Sequence, residues 1–266
     1  MAEIPAGQLA AVAQSLMHAG QWTRALDLLD AAVPADATER AVLAVAAAEV
    51  CVESDFWCPT VTARAALSRA AEAVAEVAAA DGTLGWELDL QSLRHDYFAE
   101  LLTPDGPRFG PDGRDPAVIE DLATRARRLR DAAPDQGRMA AATFWAGVVE
   151  DNLRGDSAAG ESLFAQALAT AEEAGADLAT SEALRHLGYC ASQRGDLDLA
   201  REQWERSIRL RQQAGAVPYV LSQFLALAEA ARDSGDVAGA RTLAGSVRSW
   251  ADALGIGLLA AQAESF

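Results

Sequence analysis

The chain has 266 residues with 22 basic and 39 acidic side chains, for a net charge of −17 at neutral pH, and is 51% hydrophobic but only 6% aromatic. That composition excludes a disordered chain and assigns burial to Ala, Leu and Val. Every basic residue is Arg, which excludes a P-loop, a pyridoxal enzyme and a Schiff-base aldolase because each needs a lysine amine; the acidic surplus also opposes nucleic-acid phosphates and anionic membranes.

Lysine-free, Ala-rich usage reads as the coding bias of a GC-rich bacterial genome. The opening residues carry no positive n-region, and the longest apolar run, 41–52, is interrupted by Glu49, short of the roughly 18 residues a membrane span requires. Cys51, Cys58 and Cys190 are odd in number and show no paired zinc-ligand spacing with His18, His95 or His186, so they read as small core residues. The expectation is a reduced cytoplasmic protein with no cofactor and no metal.

In chain order, residues 1–36 read as a first helical hairpin. Leu9, Val12, Ala13 and Leu16 recur at helical spacing, Gly20 turns the chain, and Trp22, Ala25, Leu29 and Ala32 follow before Pro34. Residues 37–134 are less regular. One hairpin is read over 37–80, broken at Asp55-Phe56-Trp57-Cys58-Pro59, and another over 83–133, interrupted by an exposed connection at 103–116. Pro104, Pro107 and Pro111 with Gly106, Gly110 and Gly113 forbid a continuous helix there, and the connection is either functional or merely tolerated. Before it, Trp86, Arg94 and His95 accompany Asp96, Tyr97 and Phe98 on the most aromatic helix, read either as a pocket wall beside the loop or as core filling where the repeats change length. Arg125, Arg127, Arg128 and Arg130, among Glu120, Asp121 and Asp131, read as a solvated helix face.

Residues 135–255 repeat with a period of 40, marked by Gly155-Asp156, Gly195-Asp196 and Gly235-Asp236 and, in step, by Gly175, Gly215 and Gly255. Glycine suits a helix end that needs positive φ, and the following Asp accepts free N–H groups of the next helix. Residues 256–266 read as a cap over the last hairpin, or as an end through which two copies form a homodimer.

The unit Leu184, Leu187, Gly188, Gly195, Ala200, Trp204 and Ser207 resembles a tetratricopeptide repeat, a family in which small residues permit close helix crossing and an aromatic wedges between hairpins. Phe224, Leu227, Ala228, Gly235, Ala240 and Val247 repeat it with Ala244 in the place of Trp204. Phe144, Gly155, Gly160, Phe164 and Ala167 make a third copy, in which Gly147 and Val148 depart from the usual Leu-Gly order. The N-terminal hairpin fits the standard repeat of about 34 residues. The longer units resemble those of kinesin light chains and of helical-repeat regions attached to bacterial transcriptional activators. The resemblance implies a single all-α domain over 1–266, a right-handed α-solenoid of about six antiparallel helical hairpins, each covered by the next.

In that family the first helix of each hairpin lines a concave groove. Carried over position by position, the resemblance implies a groove of Trp145, Val149 and Asn152, then Arg185, Tyr189 and Ser192, then Leu225, Glu229 and Arg232. Among these, Trp145, Asn152, Arg185, Tyr189, Ser192 and Arg232 have the aromatic and polar character of binding hot spots. Chaperone-tail receptors hold a carboxylate with Lys and Asn at such positions; only Asn152 matches here, so that mode is not expected. The implied function is a non-catalytic scaffold that binds a protein or peptide in its groove. Two alternatives stay open: a regulatory sensor for a peptide or small ligand, and an enzyme with a pocket near Trp86, Arg94 and His95.

Overall fold

The computed structural model describes residues 4–58, 60–77, 82–103 and 106–266. Pro59 of the predicted break, residues 78–80 at the end of the second predicted hairpin, and Pro104 and Asp105 of the predicted connection lie outside the described residues.

Among the described residues the elements are α1 (Ala6–His18), α2 (Trp22–Asp30), α3 (Ala37–Trp57), α4 (Ala63–Val77), α5 (Gly82–Leu101), a ladder of β1 (Leu102–Thr103) with β2 (Gly106–Pro107), α6 (Pro116–Asp131) and α7 (Gln136–Val148). A π-helical stretch, Val149–Arg154, continues α7. Then come α8 (Ser157–Ala174), α9 (Asp177–Gln193), α10 (Leu197–Gln213), α11 (Val217–Asp233), α12 (Val237–Leu254) and α13 (Gly257–Ala263). They follow one another as six hairpins and a last short helix. The predicted break comes later than expected, since α3 continues through Asp55, Phe56 and Trp57 and ends at its C-cap, Cys58, while the predicted connection falls between α5 and α6. The fold is an all-α helical repeat.

The hairpin corners show why this sequence turns where it does. Gly155, Gly195 and Gly235 have φ of 77°, 80° and 92°, a region in which a Cβ is strained. The Asp after each corner caps the next helix: Asp156 accepts from Ala159 N (3.0 Å), Asp196 from Leu199 N (3.2 Å) and Asp236 from Gly239 N (2.8 Å). Each such cap contributes about 1 kcal/mol. Between the helices of a hairpin, a Cβ at Gly188 would collide with the Trp204 indole, and one at Gly147 would meet Phe164 Cε1 at 2.6 Å. The absent side chains let those rings wedge in.

The helices gather into two compact units, unit 1 from Met1–Leu84 with Arg211–Phe266 and unit 2 from Gly85–Leu210. Unit 1 joins the two ends of the sequence. Trp22, Leu43, Val50 and Trp57 share one core with Leu221, Leu225, Val247, Ile256 and Leu259. Buried polar groups fasten it: Glu53 accepts from Trp57 Nε1 (3.1 Å) and from the Tyr219 hydroxyl (2.6 Å). Arg211 donates to the Tyr219 carbonyl (3.1 Å) and to Gln223 Oε1 (2.9 Å), and its guanidinium lies 5.3 Å from the centre of the Tyr219 ring. Residues of α13 pack on α11 and α12 and also reach α3. A repeat array must cover the apolar faces of its terminal repeats; here residues of the first three helices and of the last three share one core.

Unit 2 has its own core, in which Leu93, Leu122, Leu153 and Phe164 are fully buried. Trp86 closes one side of it, its Nε1 donating to the Leu129 carbonyl at 2.8 Å. On α6, Arg125 pairs with Asp96 and Asp121, Arg127 with Glu120, and Arg130 with Asp131, so most of the basic face predicted there is neutralised within the molecule.

Candidate functional site

The site in unit 2 begins with a register shift. Gly147, under Phe164, lies eight residues before the corner at Gly155, whereas Gly188, under Trp204, lies seven before Gly195. The π-helical stretch absorbs the extra residue, since a π turn accommodates one more residue than an α turn. Counted from the packing glycines, Phe144 therefore corresponds to Arg185 and Trp145 to His186. The pairing of Trp145 with Arg185 that a strict period of 40 implies slips by one residue. Trp145 is only 7% exposed and lies in the core, while Asn152, beyond the slip, keeps its register with Ser192.

Around Trp145 an aromatic floor assembles from α5 and α7. Tyr97, Phe98 and Phe144 meet it edge-on at 5.4, 5.6 and 5.6 Å between ring centres. The Arg94 guanidinium sits 5.3 Å from the Trp145 ring centre and donates to Gln91 Oε1 at 2.9 Å. Arg94 is itself buried. Desolvation strengthens a cation over an indole face to about 2 kcal/mol. Arg94, read from the sequence as part of a separate pocket wall, thus joins the same cluster as Trp145. Burial pushes the Tyr97 phenol well above its ordinary value of 10.0, against the opposing hydrogen bond from Asn152. That bond, from Asn152 Nδ2 to the Tyr97 hydroxyl at 2.5 Å, ties the π stretch to α5.

Above the floor, α9 supplies a half-exposed rim. Arg185 lies 5.3 Å from the Tyr189 ring centre, Tyr189 packs edge-on against Trp204 at 5.4 Å, and Trp204 Nε1 donates to the Arg185 carbonyl at 3.0 Å. Ser192 and Asn152 are half-buried, as is Phe98. His186 lies between Phe144 (5.1 Å) and Phe164 (4.7 Å). Of the other sequence-predicted residues, Trp86 is a core residue bonded to α6, and His95 is half-buried on α5. Arg232 belongs to unit 1, where its guanidinium lies over Phe266.

Sequence reasoning missed Arg114. This buried side chain sits inside the 103–116 connection and donates to the carbonyls of Glu100 (2.9 Å), Arg108 and Gly110, with the Glu100 carboxylate 3.7 Å from its Nε. Gly110 N donates to the Asn152 carbonyl at 2.8 Å, so the connection folds back onto the π stretch. Phe109 stands exposed beside that anchor. The signal available in the sequence was an Arg among the prolines and glycines of a loop.

Few groups here suit covalent chemistry. Burial raises the Cys190 thiol to about 11, which keeps it protonated and weakly nucleophilic at neutral pH. Among the described residues no three His, Cys, Asp or Glu side chains gather as a metal site, and no helix is long and apolar enough to cross a membrane.

No family model and no curated protein matches the sequence. Among solved structures the chain is similar to a signal transduction ATPase with numerous domains, from Pyrococcus horikoshii, that carries a tetratricopeptide repeat sensor; the TM-score is 0.51 at 14% identity. The match covers 96% of this chain and 37% of that one, so this chain spans little more than a third of that protein's length. With its succession of helical hairpins, the chain has a tetratricopeptide-like helical-repeat fold.

Proposed function

We propose that the protein is a non-catalytic recognition module, acting in the cytoplasm, that binds a protein or peptide segment across the rim formed by Asn152, Arg185, Tyr189 and Ser192. The observation that carries this reading is the Arg185–Tyr189–Trp204 stack, which holds a half-exposed guanidinium and phenol ring in fixed positions. Such groups bind with little loss of side-chain entropy, and an ordered guanidinium is suited to bidentate pairing with a carboxylate. Buried Trp145, Arg94 and Tyr97 support the rim from below.

Affinity capture with Arg185→Ala plus Tyr189→Ala tests this, with partners identified from their depletion relative to the unsubstituted chain. Equal recovery of every partner would reject the rim as the binding surface. Trp145→Ala is a poor substitute in that experiment because it cuts into the core.

A regulatory sensor is the second reading, favoured by the likeness in fold to a chain whose repeats are described as a sensor. A small-molecule ligand would raise the melting temperature by mass action, by about 2.7 kcal/mol of stabilisation at a hundredfold excess over Kd. A peptide-binding scaffold would respond only to a macromolecular fraction.

A further inference from the structure

Unit 1 carries a second set of arginines around the last hairpin. Arg241 and Arg248 lie seven residues apart on α12, about two turns, and so face the same way. Arg232 lies at the end of α11. The residues after α13 run back across these three side chains. Glu264 accepts from Arg248 Nη2 at 2.8 Å, the Phe266 carbonyl accepts from Arg241 Nε at 3.3 Å, and the Phe266 ring centre lies 4.8 Å from the Arg232 guanidinium.

Each arginine thus meets a different feature of one short segment: a carboxylate, a backbone carbonyl and an aromatic face. Their contacts to acids on their own helices are longer, 3.8 Å from Arg248 to Asp252 and 4.0 Å from Arg232 to Asp233. All three arginines are exposed. Exposed ion pairs and cation–π contacts are individually weak, so another segment of the same chemistry can take the place of this one. Arg232 is also a residue at which the repeat resemblance implies ligand contact.

We propose that Arg232, Arg241 and Arg248 form a recognition site for peptide segments that place an acidic side chain two residues before an aromatic ring, and that residues 264–266 occupy it in cis as a displaceable strap. The segment already seated there defines the ligand chemistry. This site is separate from the rim of unit 2 and stands whether or not that rim binds a partner.

The probe is an acetylated, amidated peptide Ala-Gln-Ala-Glu-Ser-Phe, titrated into the full chain and followed through the Nε–H resonances of the three arginines. In a chain carrying Glu264→Ala and Phe266→Ala, saturable shifts are expected at all three. The midpoint in the unsubstituted chain should require at least about tenfold more peptide, because a tethered competitor acts at an effective concentration in the millimolar range. Adding Arg232→Ala and Arg248→Ala to the chain that carries Glu264→Ala and Phe266→Ala should abolish the response; these exposed substitutions leave the core intact. Absence of saturation in the doubly substituted chain, equal midpoints with and without the native Glu264 and Phe266, or full binding after loss of both arginines would each overturn the proposal.

Discussion

Units 1 and 2 each hold a buried arginine 5.3 Å from an aromatic ring, yet the cluster of unit 1 joins helices distant in sequence while that of unit 2 leads to a half-exposed rim on neighbouring helices. In unit 1, Arg211, Tyr219, Gln223 and Glu53 lie between helices more than 150 residues apart in sequence, and Gln223 is wholly buried. In unit 2, the cluster of Arg94, Tyr97 and Trp145 continues upward into half-exposed Asn152, Arg185 and Tyr189. Buried polar groups are costly unless bonded, so the buried Arg211, Gln223 and Glu53 of unit 1 favour one pairing of distant helices. The cluster of unit 2 has the same chemistry with one side left for something else to complete.

Breaking the floor of unit 2 should have the largest effect. Trp145→Ala removes a ring packed by Tyr97, Phe98 and Phe144 and leaves Arg94 without its indole, and it should cost about 3–5 kcal/mol. Hydrogen exchange followed by mass spectrometry should show the loss first in α5, α7 and α9. A loss below about 1 kcal/mol would mean that the ring is not the keystone of this floor.

Tyr219→Phe is the matching cut in unit 1. It deletes the hydroxyl that donates to buried Glu53 and should cost about 1–3 kcal/mol, as expected when a buried acceptor loses a donor. Protection should fall together in α3 and α11, although they are far apart in sequence, because one core holds them. Independent responses of the two helices would argue against the shared clasp.

Arg185→Ala should be the mildest of the substitutions for folding. The side chain is half-exposed, so its stacking on Tyr189 contributes only about 0.5–1 kcal/mol, while binding at the rim should fall severalfold. A large drop in denaturation midpoint would move Arg185 from the rim to the floor.

The contrast also separates what the sequence discloses from what it hides. Corners and caps are local: Gly155, Gly195 and Gly235 do adopt positive φ, and each following Asp caps its helix, so the order of hairpins can be read directly. The connection at 103–116 was legible as a break in helix, but Arg114 gathering three carbonyls was not, because backbone acceptors leave no trace in composition. The slip at Trp145 was half-legible. The spacing from Gly147 to Gly155 exceeds that from Gly188 to Gly195 by one, but only packing tells which glycine marks the crossing. Pairing of Glu53 with Tyr219 across 166 residues was invisible, since a repeat pattern constrains nearest neighbours and says nothing of distant ones.

Alkaline titration gives the finest comparison. Tyr97 in unit 2 is neutral and buried, with its pKa raised chiefly by desolvation, so the unfolded chain releases this proton near 10.0 while the folded chain retains it. Stability associated with Tyr97 is complete below pH 10 and declines as the pH rises further, by up to 1.36 kcal/mol for each unit until the folded pKa is reached. Cys190 adds a decline of the same sign between its ordinary 9.0 and about 11. Burial also raises Cys51 and Cys58 in unit 1, so both units should weaken above pH 9, and the Tyr97 contribution should appear as a further slope in unit 2 above pH 10. Urea midpoints resolved by hydrogen exchange at pH 8, 9, 10 and 11 provide the measurement, and Tyr97→Phe should remove that further slope. An unchanged slope in Tyr97→Phe would show that water reaches the phenol, and the floor beneath the rim would then have to be redrawn as an open cleft.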